Sequence, residues 1–152
     1  PLYSSAASDV YKRQHMLRYL VGDEKFFKIL KELLHSKKDL PNNQITTSDF
    51  IDIVHSVIET NIDWFFKVYL YENQYPIINQ KISHGSNHTF VELHWENSDF
   101  SMPVEVFYKS NIGFTKKKLV LTNEPIMIAI PQYNKIRIDP DKRVLLTIHK
   151  KE

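Results

Sequence analysis

The side chains able to do chemistry in this sequence are its seven histidines, its 18 carboxylates and its lysine-rich stretches, because it contains no cysteine. Without thiols, disulfides, thiolate zinc sites and thiol nucleophiles are all excluded. The histidines are His15, His35, His55, His84, His88, His94 and His149. None stands in a His-Glu-x-x-His arrangement, the spacing that puts two imidazoles on one helix face around zinc. His84 and His88 flank a turn and are spaced to chelate a metal in principle, yet turn histidines ordinarily just face water. His94 and Glu96, on one strand face, read the same way. Lys116, Lys117 and Lys118 would suit phosphate or an acidic surface, but a strand edge guarded by lysines accounts for them more simply.

Nucleophile and phosphate chemistry find no better support. There is no G-x-S-x-G elbow, and the three glycines, Gly22, Gly85 and Gly113, are too scattered for a phosphate-cradling loop. Asn87-His88-Thr89 fits a glycosylation sequon, which matters only on a eukaryotic secretory route. Trp64, Phe65, Phe66 and Tyr69 could form a ligand box; at helical spacing they fit a core or a packing seam better. The residues alone therefore support no catalytic mechanism, and no catalytic, cofactor-binding or metal-binding residue is expected.

These residues must be positioned by a chain of 152 residues, enough for one domain or two small ones with a real core. A net charge of +2 argues against a broad basic face for nucleic acid. No apolar run approaches the ~18 residues of a membrane span.

Before Pro76 the apolar period is helical. Met16, Leu17 and Leu20 read as the last turns of a first helix, with Gly22 as its cap. Asp23 and Glu24 suit the positive end of a second helix, whose apolar positions are Phe26, Ile29, Leu30, Leu33 and Leu34. Lys37, Lys38 and Pro41 mark its exit. Thr46 and Asp49 form a capping box for a third helix carrying Phe50, Ile53, Val54, Val57 and Ile58. Asn61 breaks it, and Ile62 to Leu70 begin a fourth, well-buried helix.

After Pro76 the period becomes two. Val91, Leu93 and Trp95 alternate with polar residues, as do Val104, Val106 and Tyr108. Leu119 with Leu121, Ile126 to Ile130, Ile136 with Ile138, and Val144 with Leu146 and Ile148 follow. Turns are expected at residues 84–87, 97–99, 111–113 and 139–141. About seven short strands predict an all-β sandwich, so the fold class is α+β, with a boundary near Tyr75-Pro76.

The chain opens on Pro1, and its first fourteen residues show no apolar periodicity. Ser4 to Gln14 resembles the in-frame translation of a transposase-end sequencing adapter. Residues 1–14 are therefore expected to be a disordered scar, with natural sequence from about His15 and lost upstream coding. Setting them aside removes Lys12, Arg13 and Asp9, lowering the net charge by one unit.

His15-Met16-Leu17-Arg18, followed by Val21-Gly22-Asp23-Glu24-Lys25-Phe26-Phe27, resembles the zinc aminopeptidases typified by membrane alanyl aminopeptidase (aminopeptidase N). Thr46 to Phe50, Asp63-Trp64-Phe65-Phe66 and Tyr75-Pro76 match that family in order and spacing. Met102 to Val106 and Ile138 to Asp141 resemble its following β-sandwich. The resemblance implies that residues 15–75 are the last helices of a thermolysin-like catalytic domain and that residues 76–152 are the sandwich.

It further implies a parent that hydrolyses N-terminal residues from peptides with one zinc ion. His-Glu-x-x-His, a further Glu ligand and an amino-group-binding loop would all precede this segment. Tyr11-Lys12 imitates the family's catalytic tyrosine, but the spacing to Met16 is too short and Tyr11 lies in the adapter-like string. The chain by itself is thus expected to hold no zinc and to be inactive. Its partners would be the missing N-terminal part of the catalytic domain and, in the parent, peptide substrates. Alternatives are a stand-alone β-sandwich interaction module and a natural pseudoenzyme.

Overall fold

The structure, a computed structural model, describes residues 2–36, 44–72, 74–97, 99–132 and 134–151, with side chains from Val10 onward. The fold is α+β: helices come first and two β-sheets follow. The chain divides into two compact units, Pro1–Ile62 and Asp63–Glu152. The period changes from helix to strand at Pro76, whereas the units divide earlier, because the last helix packs with the strands.

In the first unit, α1 spans Leu2–Val21, α2 spans Asp23–Ser36 and α3 spans Thr47–Val57. The expected disorder of residues 1–14 is corrected over residues 2–14, which are helical and continuous with the rest of α1. No glycine or proline interrupts Leu2–Val21, and Ala6, Ala7, Lys12 and Arg13 are good helix formers. The expected exit at Lys37, Lys38 and Pro41 lies outside the described residues.

Gly22 ends α1 as expected. Its φ of +86° is left-handed, and its N–H donates to the Arg18 carbonyl at 2.9 Å. Asp23 then starts α2, where a carboxylate meets the dipole's positive end. Before α3, the Thr46 hydroxyl accepts the Asp49 N–H at 3.2 Å while Asp49 accepts the Thr46 N–H at 2.8 Å. This reciprocal box ties up two backbone donors that the first helical turn leaves over. On α2, Ile29 is buried and Phe26 and Leu33 are half-buried. Leu30 and Leu34, expected on the same face, are instead exposed at 36% and 68%, and Phe27 joins them at 49%.

The second unit begins with α4, Asp63–Phe66, which widens into one π-helical turn, Lys67–Tyr71. The Glu72 N–H reaches back to the Lys67 carbonyl at 3.1 Å and closes that wider ring. Among the described residues seven strands follow: β1 Ile77–His84, β2 His88–Trp95, β3 Pro103–Ser110, β4 Gly113–Val120, β5 Ile126–Pro131, β6 Ile136–Ile138 and β7 Thr147–Lys151. They form a four-stranded sheet ordered β5-β2-β1-β7 and a three-stranded sheet ordered β4-β3-β6.

Two hairpins fix the registers. β1 and β2 turn through residues 85–87, with His84 opposite Thr89 and Ile78 opposite Trp95. At Gly85 a Cβ would lie 3.1 Å from the Phe90 ring, so the turn favours the smallest residue. β3 and β4 turn through Asn111 and Ile112, with Ser110 opposite Gly113. β4 is a sheet edge and carries Lys116, Lys117 and Lys118, the lysine-guarded edge expected from sequence.

Two strand readings need correction. The expected alternation of Val144, Leu146 and Ile148 is not one strand: Val144 and Leu145 are buried in a loop, and β7 starts at Thr147. Its start is held by the Thr147 N–H donating to the Pro76 carbonyl at 2.9 Å. β1, which no alternation in the sequence marks, has Ile78, Asn79 and Gln80 all buried and residues 81–84 exposed.

Alternation on β2 buries Val91, Leu93 and Trp95 completely. Trp95 and Phe100 meet edge to face at 4.7 Å, and the Trp95 indole donates to the Met102 carbonyl at 3.1 Å. The indole thus buries its large apolar body without orphaning its N–H.

Candidate functional site

The aromatic set expected to be either a ligand box or core is core. Phe65, Phe66 and Tyr69 are each 3% exposed. Trp64 and Tyr69 pack on Phe100 with ring centroids 5.0 and 5.8 Å apart. The Tyr69 hydroxyl donates to the Leu145 carbonyl at 3.1 Å, holding the loop before β7. Burial pushes the Tyr69 phenol well above its ordinary value of 10, so it stays protonated and serves as a donor.

The histidines do not converge. His15, His35 and His55 are exposed on helices. His84 sits 3.1 Å from the Thr89 hydroxyl across the first hairpin, while the His88 ring lies near Phe90. Among the described residues there is no group of three or more His, Asp or Glu side chains that could hold a metal ion.

The two histidines that come nearest to a shared site are His94 and His149. They lie opposite Asn79 on either side, making one row across β2, β1 and β7. Glu96 receives the Asn79 amide at 3.4 Å and approaches His149 at 3.9 Å, while Glu92 lies 3.9 Å from His94. Asn79 is 3% exposed, and its carbonyl oxygen has no hydrogen-bond partner among the described residues.

A second cluster holds the loop after β6. Lys116 bridges Glu105 at 2.9 Å and Asp141 at 2.6 Å, and Arg143 reaches Asp141 at 3.3 Å. The Lys116 ammonium holds the Asp141 carboxyl below the usual range, and the paired carboxylates raise Lys116 in return. Beside them, Asp139 accepts the backbone N–H groups of Arg143 and Val144, both at 2.9 Å. Its φ of +47° is left-handed, which the local carboxylate bonds support. Sequence singled out Lys116 and the residue 139–141 turn but not Glu105 or Arg143, whose roles depend on strand pairing.

The architecture thus defines a class before any likeness is considered: an α+β chain in which helices lead into a two-sheet sandwich. No family model and no curated protein matches the chain. Among 48 matching chains of known structure is aminopeptidase A of Legionella pneumophila, crystallised in complex with aspartic acid. The likeness has a TM-score of 0.68 at 13% identity and covers 93% of this chain. It covers 17% of that aminopeptidase, so the chain spans about a sixth of its length, and the likeness is one of fold.

Proposed function

We propose that this chain is a segment of a zinc metallo-aminopeptidase, comprising the last helices of the catalytic domain and the β-sandwich beyond them. The observation that carries the reading is the fold likeness to an aminopeptidase along 93% of the chain. The ordered resemblance of Met16-Leu17-Arg18, Gly22-Asp23-Glu24, Asp63-Trp64-Phe65-Phe66 and Tyr75-Pro76 to the aminopeptidase N family supports it independently.

In this reading the parent enzyme removes N-terminal residues from peptides. Zinc, if held by ligands in the part of the parent that precedes His15, would supply polarisation of the scissile carbonyl and activation of water. The segment's own task is support. Phe27, Leu30 and Leu34 recur at helical spacing on α2 and are exposed, an apolar stripe fit to seat the rest of a catalytic domain.

The test is the contiguous coding sequence before His15. The expected result is His-Glu-x-x-His and a further Glu within roughly a hundred residues, as a three-ligand catalytic zinc site needs. A start codon at Met16 would overturn the reading. The chain alone is expected to release no amino acid from a peptide anilide and to retain no stoichiometric zinc after dialysis.

A further inference from the structure

The four-stranded sheet offers more inner surface than the three-stranded sheet covers. β3 approaches β5, which closes the sandwich along that side. On the other side the smaller sheet stops at β6, three residues long and, among the described residues, paired only with β3. A groove of about 500 Å³ opens there, lined from β1, β2, β6 and β7 but by no residue of β3. It therefore lies along the free edge of β6.

Its accessible apolar walls are Ile82, Ile136, Ile138 and Ile148, with Asn134 beside them and the buried Gln80, Thr89 and Val91 behind. Ile82 alternates along β1 with buried Ile78 and Gln80, yet it is 41% exposed. Nothing among the described residues covers this inward-facing position. The ionisable groups lining the groove are Lys135, Lys150 and His84, with no carboxylate. Neither lysine is ion-paired among the described residues.

We propose that this groove binds an extended acidic peptide segment, which adds as a strand beside β6. A free strand edge offers unpaired backbone donors and acceptors. The isoleucine walls take alternate apolar side chains, and the two lysines select acidic residues by charge complementarity. A fatty acid would satisfy the walls and the lysines but would leave the β6 backbone edge unpaired. This inference does not depend on the aminopeptidase reading.

The test is an NMR titration of the isotope-labelled full chain with an acetylated, amidated peptide whose alternate, groove-facing residues are isoleucine at the centre and aspartate at either end. Saturable shifts should concentrate in β6, β7 and the second half of β1. Lys135→Glu with Lys150→Glu should weaken binding ~10-fold or more while circular dichroism stays unchanged. Replacing aspartate by lysine in the peptide, or methylating its alternate amides, should abolish binding. Absence of saturable shifts, insensitivity to the lysine substitutions, or equal binding of the methylated peptide would overturn the proposal. So would dodecanoate moving these signals where the peptide does not.

Discussion

Arg18 and Asp23 clasp each other across the corner between α1 and α2, with Nε–Oδ1 at 2.7 Å and Nη2–Oδ2 at 2.8 Å. The fork geometry of guanidinium and carboxylate makes this a two-pronged pair. The same guanidinium lies 5.2 Å from the Phe27 ring centre, so one arginine joins the end of α1 to the first turns of α2. Between them Gly22 supplies the backbone conformation that brings the two side chains together.

Gly22→Ala should destabilise the chain by about 1 kcal/mol through backbone strain alone. Beyond the two neighbouring residues, no described atom lies within 4 Å of the would-be Cβ, so crowding contributes nothing. Urea unfolding with an unchanged slope would report this loss. No change in midpoint would show that the corner tolerates a side chain.

The pair also has a pH signature. The Arg18 hydrogen bonds hold the Asp23 carboxyl below its ordinary 3.8, so the native state favours the charged form. Its contribution is complete above 3.8 and is lost as pH falls through the lowered native value. Both side chains are exposed, so the effect is small and screened by salt. Arg18→Ala should therefore differ from the parent chain in urea midpoint at neutral pH and low salt. The difference should vanish in acid or in molar salt.

Tyr69→Phe removes the hydrogen bond to the Leu145 carbonyl and should cost about 1 kcal/mol. The phenol is raised above its unfolded value of 10, so its share of stability is present below that pH and is lost as pH climbs past it. The variant should consequently lose less stability than the parent chain between neutral and strongly alkaline pH. Phe100→Ala, at the meeting point of Trp64, Tyr69 and Trp95, should cost about 3–5 kcal/mol through the cavity it opens.

Asp139→Ala leaves the backbone N–H groups of Arg143 and Val144 without their carboxylate and should cost about 2–3 kcal/mol. The loop carrying Val144 and Leu145 should open, seen as faster hydrogen exchange at those amides. Exchange no faster than in the parent chain would show that the loop is held by packing alone.

Local signals were legible in the sequence and long-range ones were not. The Thr46–Asp49 box, the Gly22 cap and the change of period at Pro76 each depend on residues a few positions apart. Helix formation over residues 2–14 of α1 went unread because composition without an apolar face resembles disorder. The exposure of Leu30 and Leu34 was hidden for the opposite reason: periodicity marks an apolar face but not whether anything covers it. β1 lacked alternation because one end is buried on both faces. Its parallel pairing with β7 and the offset of the two sheets, which together create the groove, arise from contacts across the whole second unit. The pairing of Glu105 with Lys116 follows from the β3–β4 register, and Arg143 joins it from a loop that no local pattern predicts.

The central claim is that this segment belongs to a zinc aminopeptidase, and the most direct measurement is made on the protein encoded by the complete open reading frame containing it. Zinc content and release of the N-terminal residue from a peptide anilide would be measured on the same preparation, before and after chelation. The account predicts one zinc per chain and amino-acid release that chelation abolishes and zinc restores. A complete protein with no bound zinc and no release would contradict it.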